Sequence, residues 1–249
     1  DVPTVGTFKH LSIISEVISP SGKFEGFYYE VRMDKDLADR IWRKKFNILL
    51  NNSLLPKKYQ SPQQLVKRKD DEEAWDFLED VRRNIVQEVK AGSVFVIASS
   101  NVGNGKTSWA IRLLQRYLAE TALDGTISDK GMFVNYTSLV TNMSDFKYRD
   151  TSEYREYLTR LKTCELLVVD ELGGAGINKI SYPLIYEIID TRNNQQLSTI
   201  YTTNLDESVL KDQLGERLFS RVYDYSTLVE FYSDNVRGYS VEDIEELDK

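Results

Sequence analysis

Residues 93–108 read "SVFVIASSNVGNGKTS", and this stretch decides the fold. Val94–Ala98 form a short, continuous apolar run of the kind a buried strand carries. Small residues follow it, and then Lys106, Thr107 and Ser108 open a segment, "TSWAIRLLQRYLAE", with helical periodicity. Strand, glycine loop and helix in that order make a cradle in which backbone N–H groups converge on phosphate oxygens. Lysine then reaches the β/γ-phosphates and a hydroxyl holds Mg²⁺. The predicted nucleotide segment is therefore Ser100, Asn101, Val102, Gly103, Asn104, Gly105, Lys106, Thr107 and Ser108, with ATP and Mg²⁺ as its ligands. The general pattern G-x-x-x-x-G-K-[ST] has a glycine where this chain has Ser100. Serine is harmless there if φ is negative, and costs on the order of 1 kcal/mol if φ is positive.

The surrounding sequence continues the same architecture. "GMFVNYTS", "CELLVVDE" and "STIYTTN" read as three more buried strands with helical segments between them. The alternation predicts an α/β fold, a mostly parallel sheet flanked by helices on both faces. Trp75, Leu78, Val81, Ile85 and Val89 recur at helical spacing up to Gly92, and a further amphipathic helix is expected from Asp36 to about Leu50. Before that, "SPSGKFEGFYYEVRM" reads as a turn and a short strand, and "NNSLLPKKYQSPQQ", with two prolines, reads as a linker. The expected organisation is a basic N-terminal region and linker over 1–68, a candidate partner-binding segment. An ATPase domain over 69–240 and an acidic tail over 241–249 complete it.

Composition narrows the chemistry. Across 249 residues, 41% apolar and 29% charged, there is room for one large core and a short appendage. No apolar run reaches the roughly 18 residues of a membrane span, and "DVPTVGTFKHLSI" has no basic-then-apolar secretory pattern. Cys164 and His10 are single, which excludes an internal disulfide framework and a Cys/His zinc site, disfavours histidine catalysis, and fits a reducing, cytosolic setting. Residues 1–69 hold 13 Lys+Arg against 7 Asp+Glu, while the remainder holds 19 against 32. That asymmetry reads either as an arm for an acidic partner or as a solvated face.

Four further stretches add candidate chemistry. In "LLVVDELGG", an apolar strand ends in Asp170, suited to a metal, and Glu171, suited to polarising a water; the alternative is two acidic residues leaving a strand. Asn204 ends "STIYTTN" and could orient the attacking water. Arg217 and Arg221 in "LGERLFSRVYD" lie four apart, hence on one face if helical, and an arginine delivered across a subunit interface stabilises phosphoryl-transfer charge. Arg237 in "FYSDNVRG" could contact nucleotide from its own chain.

The ordered set resembles the AAA+ ATPases, and within them the DnaC/DnaI-type replicative helicase loaders, with IstB-type ATPases close by. "LLPKKYQ" resembles the segment these proteins carry ahead of the ATPase core, and "GERLFSRV" and "DNVR" complete the resemblance over about Leu54 to Gly238. It implies Lys106 and Thr107 as Walker A, Asp170 and Glu171 as Walker B, and Asn204 as sensor 1. Arg221, with Arg217 beside it, becomes the arginine finger, and Arg237 takes the sensor 2 position. It also implies nucleotide-dependent self-assembly and a hexameric replicative helicase as partner. Single-stranded DNA would be contacted through Lys147, Tyr148 and Arg149, cations around an aromatic. The setting it implies is the bacterial cytosol, for a host or phage protein. Other readings are an IstB-like transposition helper that binds duplex DNA, a non-hydrolysing adaptor, and a small-molecule kinase.

Overall fold

The computed structural model describes residues 10–18, 20–22, 24–32, 35–61, 65–124, 130–146 and 151–235. The chain divides into two compact units, residues 1–47 and 48–249. In the first, β1 (His10–Ile18) and β2 (Phe24–Arg32) pair antiparallel, from His10 opposite Arg32 to Ile18 opposite Phe24. The turn between them includes Gly22 at φ +80°, a conformation that glycine adopts without a Cβ penalty. The helix α1 (Lys35–Asn52) follows and runs across the division.

The second unit is built on a parallel sheet of β3 (Val94–Ala98), β4 (Gly131–Asn135), β5 (Leu166–Asp170), β6 (Ser198–Thr203) and β7 (Ser226–Glu230). Their order is β4-β5-β6-β3-β7. β3, β5 and β6 are buried along their whole length; β3 and β5 accordingly read as near-continuous apolar runs rather than alternating ones, while β6 buries Ser198, Thr199, Thr202 and Thr203 beside Ile200 and Tyr201. Side chains alternate between the two faces. Val94, Val96, Met132, Val134, Leu167, Val169 and Tyr201 join one core with residues of α7 (Tyr182–Asn194), α8 (Glu207–Leu214) and α9 (Glu216–Tyr223). On the other face lie α2 (Glu72–Arg83) and α4 (Lys106–Glu120), joined by a T-shaped contact of Trp75 with Trp109, while Phe77 of α2 meets Phe95 of β3.

Two features follow from unpaired backbone. β4 is an edge strand, and Phe133 N–H donates to Ser53 O at 2.7 Å, so the residues after α1 cover part of that edge. Gln115 Nε2 donates to Tyr59 O at 2.7 Å. The segment around Ser53–Gln60, expected to be a linker, is thus packed against the sheet and α4. Pro56 and the turn formers around it mark a break between longer elements, with a single 3-10 turn at Lys57–Tyr59, not absence of packing. At the other end of the strands Arg192, fully buried, donates to Thr199 Oγ1 and to the carbonyls of Leu161, Cys164 and Ser198. Those acceptors satisfy a buried guanidinium and tie α7 to the starts of β5 and β6. Among the described residues no helix is long and apolar enough to cross a membrane.

Candidate nucleotide site

In a parallel sheet, ligand sites form at the carboxyl ends of the strands, where loops leave for the helices. Here β3 delivers the glycine loop to that edge and α4 begins at Lys106. Gly103 (φ +82°) and Gly105 (φ +100°) are the loop's left-handed residues, and a Cβ on Gly105 would sit 3.0 Å from Leu65 Cδ2. Ser100 is not among the described residues with positive φ. The missing glycine therefore costs the loop nothing. Ser99 organises the entry: its N–H donates to Thr203 O, and its Oγ accepts from Asn101 N–H at 3.1 Å and Asn104 Nδ2 at 2.7 Å. Lys106 is 5% exposed, its Nζ donating to Asn101 O (2.6 Å) and Asn104 Oδ1 (2.9 Å). Val102 sits 48% exposed.

The carboxylates arrive from β5. Asp170 Oδ1 accepts from Thr107 Oγ1 at 2.8 Å and from Thr202 Oγ1 at 2.7 Å. Burial pushes its carboxyl above the usual range, a tendency the two hydroxyl donors oppose and neighbouring Glu171 reinforces. A hydroxyl and a carboxylate in contact at the foot of a phosphate loop are the hard oxygen donors Mg²⁺ takes from a protein, the remaining positions going to phosphates and water. Among the described residues no group of three or more His, Cys, Asp or Glu side chains stands as a metal centre.

Glu171 lies at φ +59°, in the left-handed region that costs a non-glycine residue about 1–2 kcal/mol. Its N–H donates to Thr202 Oγ1 (3.0 Å), and its Oε2 accepts from Asn135 Nδ2 (2.8 Å). Such backbone strain is retained where surrounding bonds over-determine it, most often at working sites. Asn135 and Thr202 were not singled out from sequence. Strand register is what places them: Asn135 ends β4 directly opposite Asp170 in the parallel ladder, and Thr202 belongs to the strand beside it. Asn204 follows β6 at the same edge, half-buried.

The arginines are elsewhere. Arg217 and Arg221 share α9, as their spacing predicted, but the groups that hold them belong to α7. Arg217 lies over the Tyr186 ring at 5.2 Å, and Arg221 Nε pairs with Asp190 Oδ1 at 3.0 Å and is hydrogen-bonded to Tyr186. Lys147, Tyr148, Arg149 and Arg237, and the tail 241–249, lie outside the described residues.

A five-stranded parallel sheet with a glycine loop after β3 and an Asp-Glu pair after β5 defines the AAA+ class of P-loop proteins. Within that class, the chain belongs to the IstB-like ATP binding protein family, whose profile matches residues 29–238. It is 28% identical over 143 residues to the replicative helicase loader DnaC of Escherichia coli K12 (56% of this chain, 54% of that one). It is 27% identical over 142 residues to YdaV of the same organism (56% and 53%). The chain spans about half the length of the curated relatives it matches. Among solved structures, that of a DnaC helicase loader superposes with a TM-score of 0.60 at 22% identity, covering 71% of this chain and 100% of that one. The initiator DnaA bound to AMPPCP and single-stranded DNA gives 0.59 at 16% identity (78% and 60%). At these identities the likeness is one of fold.

Proposed function

We propose that the protein is an ATP-dependent helicase loader: it binds ATP with Mg²⁺, self-assembles, and helps place a hexameric replicative helicase on single-stranded DNA. The observation that carries this reading is the bonded pair Thr107–Asp170, set between Lys106 and a strained Glu171 in a chain similar to DnaC loaders. In it, the loop N–H groups and Lys106 hold the β/γ-phosphates, and Thr107 and Asp170 would hold Mg²⁺, which would neutralise phosphate charge. Glu171 accepts a proton from the attacking water, with Asn204 orienting that water. Asn135 holds Glu171 Oε2 and sets when the carboxylate faces the water.

Arg221 acts on a neighbouring subunit's nucleotide, with Arg217 beside it, so that hydrolysis requires assembly. Arg237 contacts the nucleotide of its own chain. Residues 1–68 serve as the partner-binding region ahead of an ATPase domain over 69–240 and an acidic tail over 241–249. Lys147, Tyr148 and Arg149 contact DNA, and the setting is the bacterial cytosol, for a host or phage protein. ATP shared between subunits favours the assembled state and hydrolysis releases it, a population shift driven by differential binding.

Light scattering with ATP, ADP or no nucleotide, each with and without a single-stranded oligonucleotide, tests the reading. Growth that needs ATP and is enhanced by oligonucleotide supports it; a monomer in every condition sinks the self-assembling loader in favour of an adaptor. The family match favours one second reading, an IstB-like transposition helper. Tighter binding to duplex than to single-stranded DNA would select it.

A further inference from the structure

Asp71 is an acidic residue that the site has not used, and it is 2% exposed. It closes the 3-10 turn Lys69–Asp71 ahead of α2. Its Oδ1 accepts from the backbone N–H groups of Tyr232 (2.6 Å) and Ser233 (3.0 Å), and its Oδ2 accepts from Ser233 Oγ. All three donors belong to the segment that leaves β7, more than 160 positions away in sequence.

The other side of that segment faces the phosphate loop. Asn101 Nδ2 donates to the carbonyls of Tyr232 (3.1 Å) and Ser233 (3.2 Å), and Asn104 Nδ2 also reaches Ser233 O at 3.4 Å. The peptide group joining Tyr232 to Ser233 therefore has its N–H on the Asp71 carboxylate and its C=O on Asn101. An anion on the N–H side polarises such a group and strengthens its carbonyl as an acceptor. The same two asparagines hold Lys106 Nζ through Asn101 O and Asn104 Oδ1. A continuous hydrogen-bonded path thus runs from Asp71, through 232–233, into the loop and to its lysine.

A buried carboxylate is a costly way to pin a strand end, since a serine or asparagine would satisfy the same donors without a desolvated charge. What the charge adds is a stiffer hold on a loop whose N–H groups must converge on phosphate before the ligand arrives. We propose that Asp71 is a positioning residue for nucleotide binding, acting through the Tyr232–Ser233 peptide on Asn101 and Asn104. The proposal rests on the reading of residues 100–108 as the ATP site. It makes nucleotide affinity depend on the segment beyond β7.

The test is equilibrium binding of a fluorescent ATP analogue with Mg²⁺ to the full chain, with thermal unfolding of each variant alongside. Asp71→Ala is expected to weaken binding about tenfold and Ser233→Ala about threefold, as charged and neutral buried hydrogen bonds are lost. Asp71→Asn keeps a carbonyl acceptor but not the charge, and is expected to weaken binding about threefold, between wild type and Asp71→Ala. Asp80→Ala, an exposed change on α2, the helix that follows Asp71, leaves affinity alone. In an Asn101→Ala/Asn104→Ala background, Asp71→Ala adds less than about twofold, because the path is already cut. If Asp71→Ala does not unfold cooperatively, Ser233→Ala and Asp71→Asn carry the same cycle. Wild-type affinity in the Asp71 and Ser233 variants, or losses that multiply in the double-asparagine background, would overturn the proposal while leaving the ATP site intact. If the unaltered chain binds no better than Lys106→Ala, the ATP reading fails, and this proposal falls with it.

Discussion

The nucleotide edge of the sheet and the arginine surface of α9 are built by opposite rules. At the edge, Lys106 and Asp170 are each 5% exposed and their bonds run to loop and strand neighbours. On α9, the Arg221 side chain is 36% exposed and its partner Asp190 27%. The backbone there is tied as well, Asn193 Nδ2 donating to Arg221 O at 2.6 Å. Buried, hydrogen-bonded charge has one favourable arrangement and holds it before any ligand comes. Half-exposed ion pairs contribute little and can trade partners, so an arginine held this way is free to leave Asp190 for a more highly charged anion. The contrast is between charge fixed by buried bonds and charge held in a more exposed, exchangeable pair.

Removing Lys106 should have the largest effect. Lys106→Ala is expected to lower ATP affinity by about a hundredfold or more by titration calorimetry, since a charge-assisted contact to the phosphates is lost. Next, Glu171→Gln should bind nucleotide normally and lose turnover by about a hundredfold, followed as phosphate release. Persistent hydrolysis would move the proton acceptor elsewhere.

Arg221→Ala sharpens the comparison most directly. Hydrolysis at assembling concentrations should fall about tenfold or more, while nucleotide affinity of the dilute chain stays unchanged. A loss of affinity in the dilute protein would mean that the arginine serves its own site, and the contrast of surfaces would collapse.

The smallest effect runs the other way. Burial raises the Asp170 carboxyl, so its ionised form costs the fold stability near neutral pH. Asp170→Asn keeps an oxygen acceptor for Thr107 and Thr202 and removes that cost. Without nucleotide its Tm should rise slightly, while Mg²⁺-dependent binding is lost. An unchanged or lowered Tm would show that the carboxylate is well compensated even without its ion.

Much of the ATP edge was legible because it is local. Ser100–Ser108 is one loop, Asp170 and Glu171 end one apolar run, and the spacing of Arg217 and Arg221 put them on one helix face. Asn135 and Thr202 were overlooked because neither forms a motif; each matters only through the strand beside it. The run around Ser53–Gln60 misled for a related reason. Pro56 reports local backbone shape, whereas the docking of the run depends on the unpaired edge of β4.

The sequence by itself determined what repeats along the chain: the parallel α/β class, through the apolar runs Val94–Ala98 and Leu166–Asp170, and the phosphate loop, through its glycines and Lys106. Only the tertiary structure decided that Ser100 has no positive φ, that Glu171 is strained and held by Asn135, and that Asp71 reaches the loop through Tyr232 and Ser233. The division is physical. Periodicity and turn chemistry act over a few residues and are written in the order of the side chains. A hydrogen bond across 160 positions exists only once the sheet has brought its two ends together.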